Sequence, residues 1–178
     1  MRTKNSIKNM IAAMSSNIVT IIIGLVAQAM FIRILGVDYL GLNGLFTNII
    51  SMLGIVELGI GNAIIYNLYK PIADNDKESI KSLMKFYKKS YHIIAGIVLI
   101  VGLIIIPFLP FLIEEVTVDV NIILIYLLFL IDIVCSYFLS YKRSIFYAEQ
   151  KNYIVNIIHI GYTIVLNLFQ LLILYFTS

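Results

Sequence analysis

Residues 93–111 read IIAGIVLIVGLIIIPFLPF, a run without one polar side chain. A helix needs about 20 mostly apolar residues to cross the hydrocarbon core of a bilayer. The run shows no period-two alternation, and only helices and closed barrels satisfy their backbone groups in lipid. It therefore reads as a transmembrane helix, 91–113 once its flanks are included. Pro107 and Pro110 bend or end it near one surface. With no polar residue to bury, it is expected on the lipid side of a bundle.

Four more stretches of the same kind surround it, at about 11–35, 44–68, 120–141 and 153–176. The composition agrees: of 178 residues, 61% are hydrophobic and 13% charged, and a soluble domain carries roughly twice that charge fraction. The expected fold class is an all-α membrane protein of five transmembrane helices, read as a single transmembrane domain over residues 1–178. The start, MRTKNSIKNM with Ala27-Gln28-Ala29 downstream, resembles a secretory signal, but its apolar run is longer than a signal core and continues past that site. The single cysteine, Cys135, permits no internal disulfide.

Lysine and arginine are sorted between alternate loops. Arg2, Lys4 and Lys8 precede the first span; Lys70, Lys77, Lys81, Lys85, Lys88 and Lys89 lie between spans two and three; Lys142, Arg143 and Lys151 lie between spans four and five. The other two loops hold only the acidic Asp38, Glu114, Glu115 and Asp119. The positive-inside bias then makes the N-terminus cytoplasmic. Pro71 is expected to stop span two and Asp76 to cap a new helix, 76–90. Ile80, Leu83, Met84, Tyr87 and Tyr91 give that helix an apolar face, and Lys77, Lys81, Lys85, Lys88 and Lys89 lie mostly elsewhere. It reads as an interfacial amphipathic helix with its lysines beside lipid headgroups.

Polar residues recur at helical spacing inside the spans: Asn17, Thr20, Gly24 and Ala27/Gln28 in the first, Thr47, Ser51, Gly54, Glu57 and Gly61 in the second. In the fourth, Asp132, Cys135/Ser136 and Ser140 run toward Arg143; in the fifth, Asn156, His159, Thr163, Asn167 and Gln170 share a face. Two readings stay open: close helix packing, or polar faces lining a hydrated cavity. Glu57 and Asp132 are each expected near mid-span, where a charge is expensive and usually faces an interior path. Arg33, in the last turn of span one, suits the helix C-terminal dipole and can snorkel or pair with Asp38. HExxH, GxSxG and phosphate-binding glycine loops are absent from the sequence, so no enzyme, cofactor, metal site or nucleic-acid partner is expected.

Four segments resemble a known family: FIRILGVDYLGL (31–42), ELGIGNAI (57–64), LYKPIA (68–73) and FYKKSY (86–91). In order and spacing they are similar to the N-terminal part of bacterial polysaccharide flippases, the O-antigen and capsule exporters of the multidrug/oligosaccharidyl-lipid/polysaccharide superfamily. The resemblance implies export of an undecaprenyl-diphosphate-linked oligosaccharide across the bacterial inner membrane, by two lobes totalling twelve or more helices. Cationic cavity residues would engage the diphosphate. Arg33 matches an arginine of the family pattern, and Glu57 its acidic position at the head of the second-helix motif. Five spans are fewer than twelve, so the chain is expected to be an incomplete N-terminal lobe, partnered by a missing transporter half or a glycan polymerase. The alternatives are a cation-coupled drug exporter of the same superfamily, or a non-transporting subunit of a glycan-assembly complex.

Overall fold

The structure, a computed structural model, describes residues 2–57, 60–113 and 121–177. Among them are seven α-helices: α1 (Arg2–Leu35), α2 (Val37–Leu53), α3 (Ile60–Ala73), α4 (Lys77–Ile105), α5 (Leu109–Leu112), α6 (Ile122–Ala148) and α7 (Asn152–Thr177). Tight 3₁₀ turns occupy Gly54–Glu57 and Ile106–Phe108. The carboxylates Glu114, Glu115 and Asp119, and Gly59 of the second-helix motif, lie outside the described residues. Among the described residues, four helical stretches are long and apolar enough to cross a membrane: Asn5–Leu35, Lys77–Leu112, Ile122–Ala148 and Asn152–Ile173. Their outward faces are densely aliphatic and aromatic, up to Phe111 at 84% exposure. Such a surface suits lipid and not water. The protein is an all-α membrane protein.

Two expectations are corrected. The stretch 44–68 is not one helix, because α2 ends at Leu53, the turn Gly54–Glu57 tightens the chain, and α3 starts afresh at Ile60. Gly54, with no side chain to hold the helical conformation, opens that turn. The hydropathy of the stretch does not register the break, since every residue around it stays apolar or small. Conversely, the helix expected over 76–90 and the span expected from 91 are one uninterrupted α4. Nothing between Tyr87 and Ile94 breaks a helix. The lysine-bearing segment therefore continues the axis of the span and does not turn to lie along the membrane surface.

By contacts the chain forms two compact units, residues 41–148 and residues 1–40 with 149–178. In the first, α4 and α6 run antiparallel, with Gly102 against Leu130 and Tyr126 and with Tyr91 against Tyr137. Tyr126 is wholly buried and donates from its hydroxyl to the Gly102 carbonyl at 2.9 Å. A Cβ on Gly102 would overlap the Leu130 side chain, lying 2.8 Å from Cδ2 and 3.1 Å from Cγ; the absent side chain lets these two helices close up. From α2, Phe46 inserts between Tyr126 (5.8 Å between ring centres) and Phe129 (5.7 Å). Ile64 and Leu68 of α3 and Val98 of α4 complete this core. Span three, expected on the lipid side of the bundle, buries a stripe of Tyr87, Tyr91, Ile94, Ala95, Val98 and Gly102 along α4 and leaves its remaining faces exposed.

Between α3 and α4 the chain reverses in three residues. Pro71 sits inside the last turn of α3 and does not end it. The stop comes at Asn75, whose φ of 53° is left-handed. The Asp76 amide donates to the Pro71 carbonyl and the Asn75 amide to that of Ile72, a Schellman closure. Asp76 then caps α4, accepting from the Ser79 hydroxyl (2.6 Å) and amide (3.0 Å). These bonds, the hydroxyl first, hold its carboxyl below the usual aspartate range. A lowered folded pKa means the cap is intact above the ordinary value and is lost as pH falls through the folded one. Acidification is therefore expected to lower amide protection at Ser79 and Ile80. Asp76→Ala should show that low protection already at neutral pH, with no acid step. Equal protection in the wild type at neutral and acid pH would contradict the cap.

The second unit pairs α1 with α7. Asn9 donates from Nδ2 to the Gln150 carbonyl and accepts at Oδ1 from the Tyr153 amide, both at 2.9 Å, so a side chain of α1 caps the start of α7. The Lys8 ammonium lies 5.4 Å from the Tyr153 ring centre, and Lys151 pairs with Glu149 beside it (2.7 Å). The two helices begin at the same end and run parallel. At the other end of α1, Gly36 takes a φ of 94°, a left-handed stop open chiefly to glycine.

Candidate functional site

Most polar side chains in the unit of α1 and α7 do not converge. On α1, Asn17, Gln28 and Arg33 are exposed. On α7, Asn156, Thr163, Asn167 and Gln170 are half-covered, whereas His159 is exposed. Asn167 donates to the Thr163 carbonyl one turn back (2.8 Å), which satisfies its amide within the helix. The covered stripe of α7 lies on the side of the helix that meets α1.

In the unit of residues 41–148 the polar groups do gather. Glu57, at the end of the Gly54–Glu57 turn, accepts a 2.7 Å hydrogen bond at Oε1 from the hydroxyl of Tyr91 on α4. Around it opens a cavity of about 390 Å³, lined by Glu57, Gly61, Asn62, Ile65, Tyr91, Ile133, Ser136, Tyr137, Ser140, Arg143, Ser144 and Tyr147. The α6 contribution falls at spacings of three and four, one helix face. Ser136 and Ser140 donate to carbonyls of their own helix, Ile133 and Ser136, and so keep acceptor lone pairs for the cavity. Arg143 lines the same space but forms no ion pair with Glu57; the one ion pair among the described residues is Lys151–Glu149.

Of the residues in the polar stripes read from the sequence, the cavity takes Glu57, Gly61, Ser136, Ser140 and Arg143. Asp132 is exposed and outside its lining. Tyr91, Tyr137, Tyr147, Asn62 and Ser144 were missed. The spacing Tyr137–Ser140–Ser144–Tyr147 was there to be read, but the partnership of Glu57 with Tyr91 crosses 34 positions and leaves no trace in periodicity.

The depth of Glu57 is also revised. Its partner Tyr91 stands where the basic segment of α4 gives way to the apolar run, within one turn of Lys88 and Lys89. Glu57 is thus level with the basic end of α4 and not with the middle of a span. A charge near the interface is far cheaper than one at the bilayer centre, which removes the need for a deep hydrated pathway to explain it.

Protein-family models, curated proteins and solved structures give no match to this chain.

The cavity's own chemistry is therefore what can be argued. It offers one carboxylate, one guanidinium, a side-chain amide, serine hydroxyls and three tyrosine rings: a set able to bind hydroxyl-rich and anionic groups together. Among the described residues, no group of three or more His, Cys, Asp or Glu side chains is placed to hold a metal ion.

Proposed function

We propose that the chain takes part in exporting lipid-linked oligosaccharide across the bacterial inner membrane, in the manner of the flippases its sequence resembles. The supporting observation is the polar cavity at the basic end of an otherwise apolar helical unit. Its carboxylate and hydroxyls suit sugar hydroxyls, its tyrosine faces suit sugar rings, and Arg143 suits a phosphate oxygen. In this reading Arg143 and not Arg33 is the cationic group that meets substrate.

The reading includes five crossings. α1 and α7 start at the same end, and in this reading the chain between them crosses an odd number of times, α4 and α6 supplying two crossings. The third is α2 with the turn that follows it. At about 1.5 Å per α-helical and 2.0 Å per 3₁₀ residue, Val37–Glu57 spans about 33 Å, enough for the hydrocarbon core of about 30 Å.

The test is reconstitution in liposomes, together with the partner lobe that the resemblance implies, with a fluorescent undecaprenyl-diphosphate oligosaccharide. Transfer between leaflets should exceed that in protein-free liposomes and fall at least about tenfold in Arg143→Gln, the order of one lost charge-assisted contact. Transfer no faster than in empty liposomes would defeat the proposal. The half-covered polar stripe of α7 favours a second reading, a membrane subunit whose polar residues are packing surfaces. That reading expects co-purification with glycan-assembly proteins and no transfer.

A further inference from the structure

The five lysines of α4 are exposed and, among the described residues, make no ion pair, yet they are not equivalent. Lys77 and Lys81 share their stretch with Asp74, Asp76 and Glu78, so residues 74–82 carry two positive and three negative charges, a net of −1. Residues 83–92 hold Lys85, Lys88 and Lys89 and no carboxylate, a net of +3. Because α4 is one continuous helix, position along it translates into depth at about 1.5 Å per residue. Lys85 lies about 6 Å from Lys89 along the axis, within the headgroup layer, while Lys81 and Lys77 lie about 12 and 18 Å from it, out in water. The face that carries Lys85, Lys88 and Lys89 passes exposed His92, which packs edge-on against Phe138 of α6 (4.9 Å between ring centres), and then Gly96. Beyond these it reaches the exposed Leu99 and Leu103, with exposed Ile93 and Ile100 on the Lys89 side. Tyr91, which reaches the cavity, borders this face three positions from Lys88 and belongs to the buried stripe.

From this geometry we infer that Lys85, Lys88 and Lys89 form a docking site for an anionic phospholipid. The ammonium groups hold its phosphate, and its acyl chains lie along the column of Leu99 and Leu103. The occupant is a diacyl lipid and not a free phosphate, because the cluster adjoins exposed aliphatic surface, Ile93 and Ile100 beside Lys89 and Leu99 and Leu103 beyond. Lys77 and Lys81 take no part. The inference is independent of the cavity and of what the protein transports.

Native mass spectrometry of the detergent-purified protein, titrated with phosphatidylglycerol or phosphatidylcholine, tests it. Phosphatidylglycerol should be retained in preference. Each lysine near a charged membrane surface contributes about fivefold in affinity. Lys85→Gln/Lys88→Gln/Lys89→Gln should therefore lose the preference by well over tenfold, and Lys77→Gln/Lys81→Gln should keep it. All five positions are exposed, and circular dichroism checks that the variants fold alike. Equal retention of the two lipids would overturn the site, as would equal loss in the two variants. Displacement of phosphatidylglycerol by millimolar inorganic phosphate would also overturn it, by showing a free-anion site.

Discussion

Tyr126→Ala is expected to lower the stability of the folded protein by about 3–5 kcal/mol, the range for removing a large buried aromatic. Three elements meet on this ring: Phe46 of α2 packs against it, the Gly102 carbonyl of α4 takes its hydroxyl proton, and α6 carries it. Its neighbours Phe46 and Leu130 are also wholly buried, so the space left behind has no flexible surface chain to fill it. In a bilayer the loss is mainly of dispersion contacts, since lipid tails are as apolar as the core itself. Tyr126→Phe separates the contributions: it keeps the ring and removes only the bond to Gly102, for about 1 kcal/mol. Denaturation in mild detergent followed by circular dichroism gives both numbers. An alanine variant within about 1 kcal/mol of wild type would mean that this core is not close-packed.

The second large effect is expected at Tyr91. If Glu57 is ionised, its bond from the Tyr91 hydroxyl is charge-assisted, and Tyr91→Phe should cost about 1.5–3 kcal/mol. Glu57→Gln should cost less, because the amide oxygen can still accept from the tyrosine. On the Glu57→Gln background, Tyr91→Phe should fall to the cost of a neutral bond, about 0.5–1.5 kcal/mol. The double-mutant cycle thus reports the charge state of the carboxylate without a titration. An identical cost of Tyr91→Phe on both backgrounds would show that Glu57 is neutral or that the bond is not made. In the transfer assay, Glu57→Gln should slow flipping while leaving stability nearly intact; parallel losses in both would place Glu57 in the scaffold and not in the site.

Much of this architecture was legible because lipid imposes a simple code. The first, third, fourth and fifth spans each coincide with a long helical stretch, although α1, α4 and α6 run about 9, 14 and 7 residues beyond them at their basic ends, and the Asp76 cap was read correctly. The break after Leu53 was not legible, since Gly54 alters backbone freedom without altering hydropathy. The continuity of α4 was misread for the opposite reason: a change from lysine-rich to apolar sequence looks like a boundary, although no residue there stops a helix. The site was half legible. A face of α6 could be found by spacing, but Glu57 was placed at the wrong depth because depth was counted along a helix that the chain does not form. Tyr91, far away in sequence, sets its true level.

The bond pattern of Asn9 has a consequence for biogenesis. Its two partners lie 141 and 144 positions downstream, so α1 emerges from the ribosome long before the helix it pairs with exists. At synthesis rates of about 5–20 residues per second, that interval is roughly 7 to 30 seconds. During it the contiguous segment 41–148 can assemble its own core, while α1 waits in the bilayer for α7.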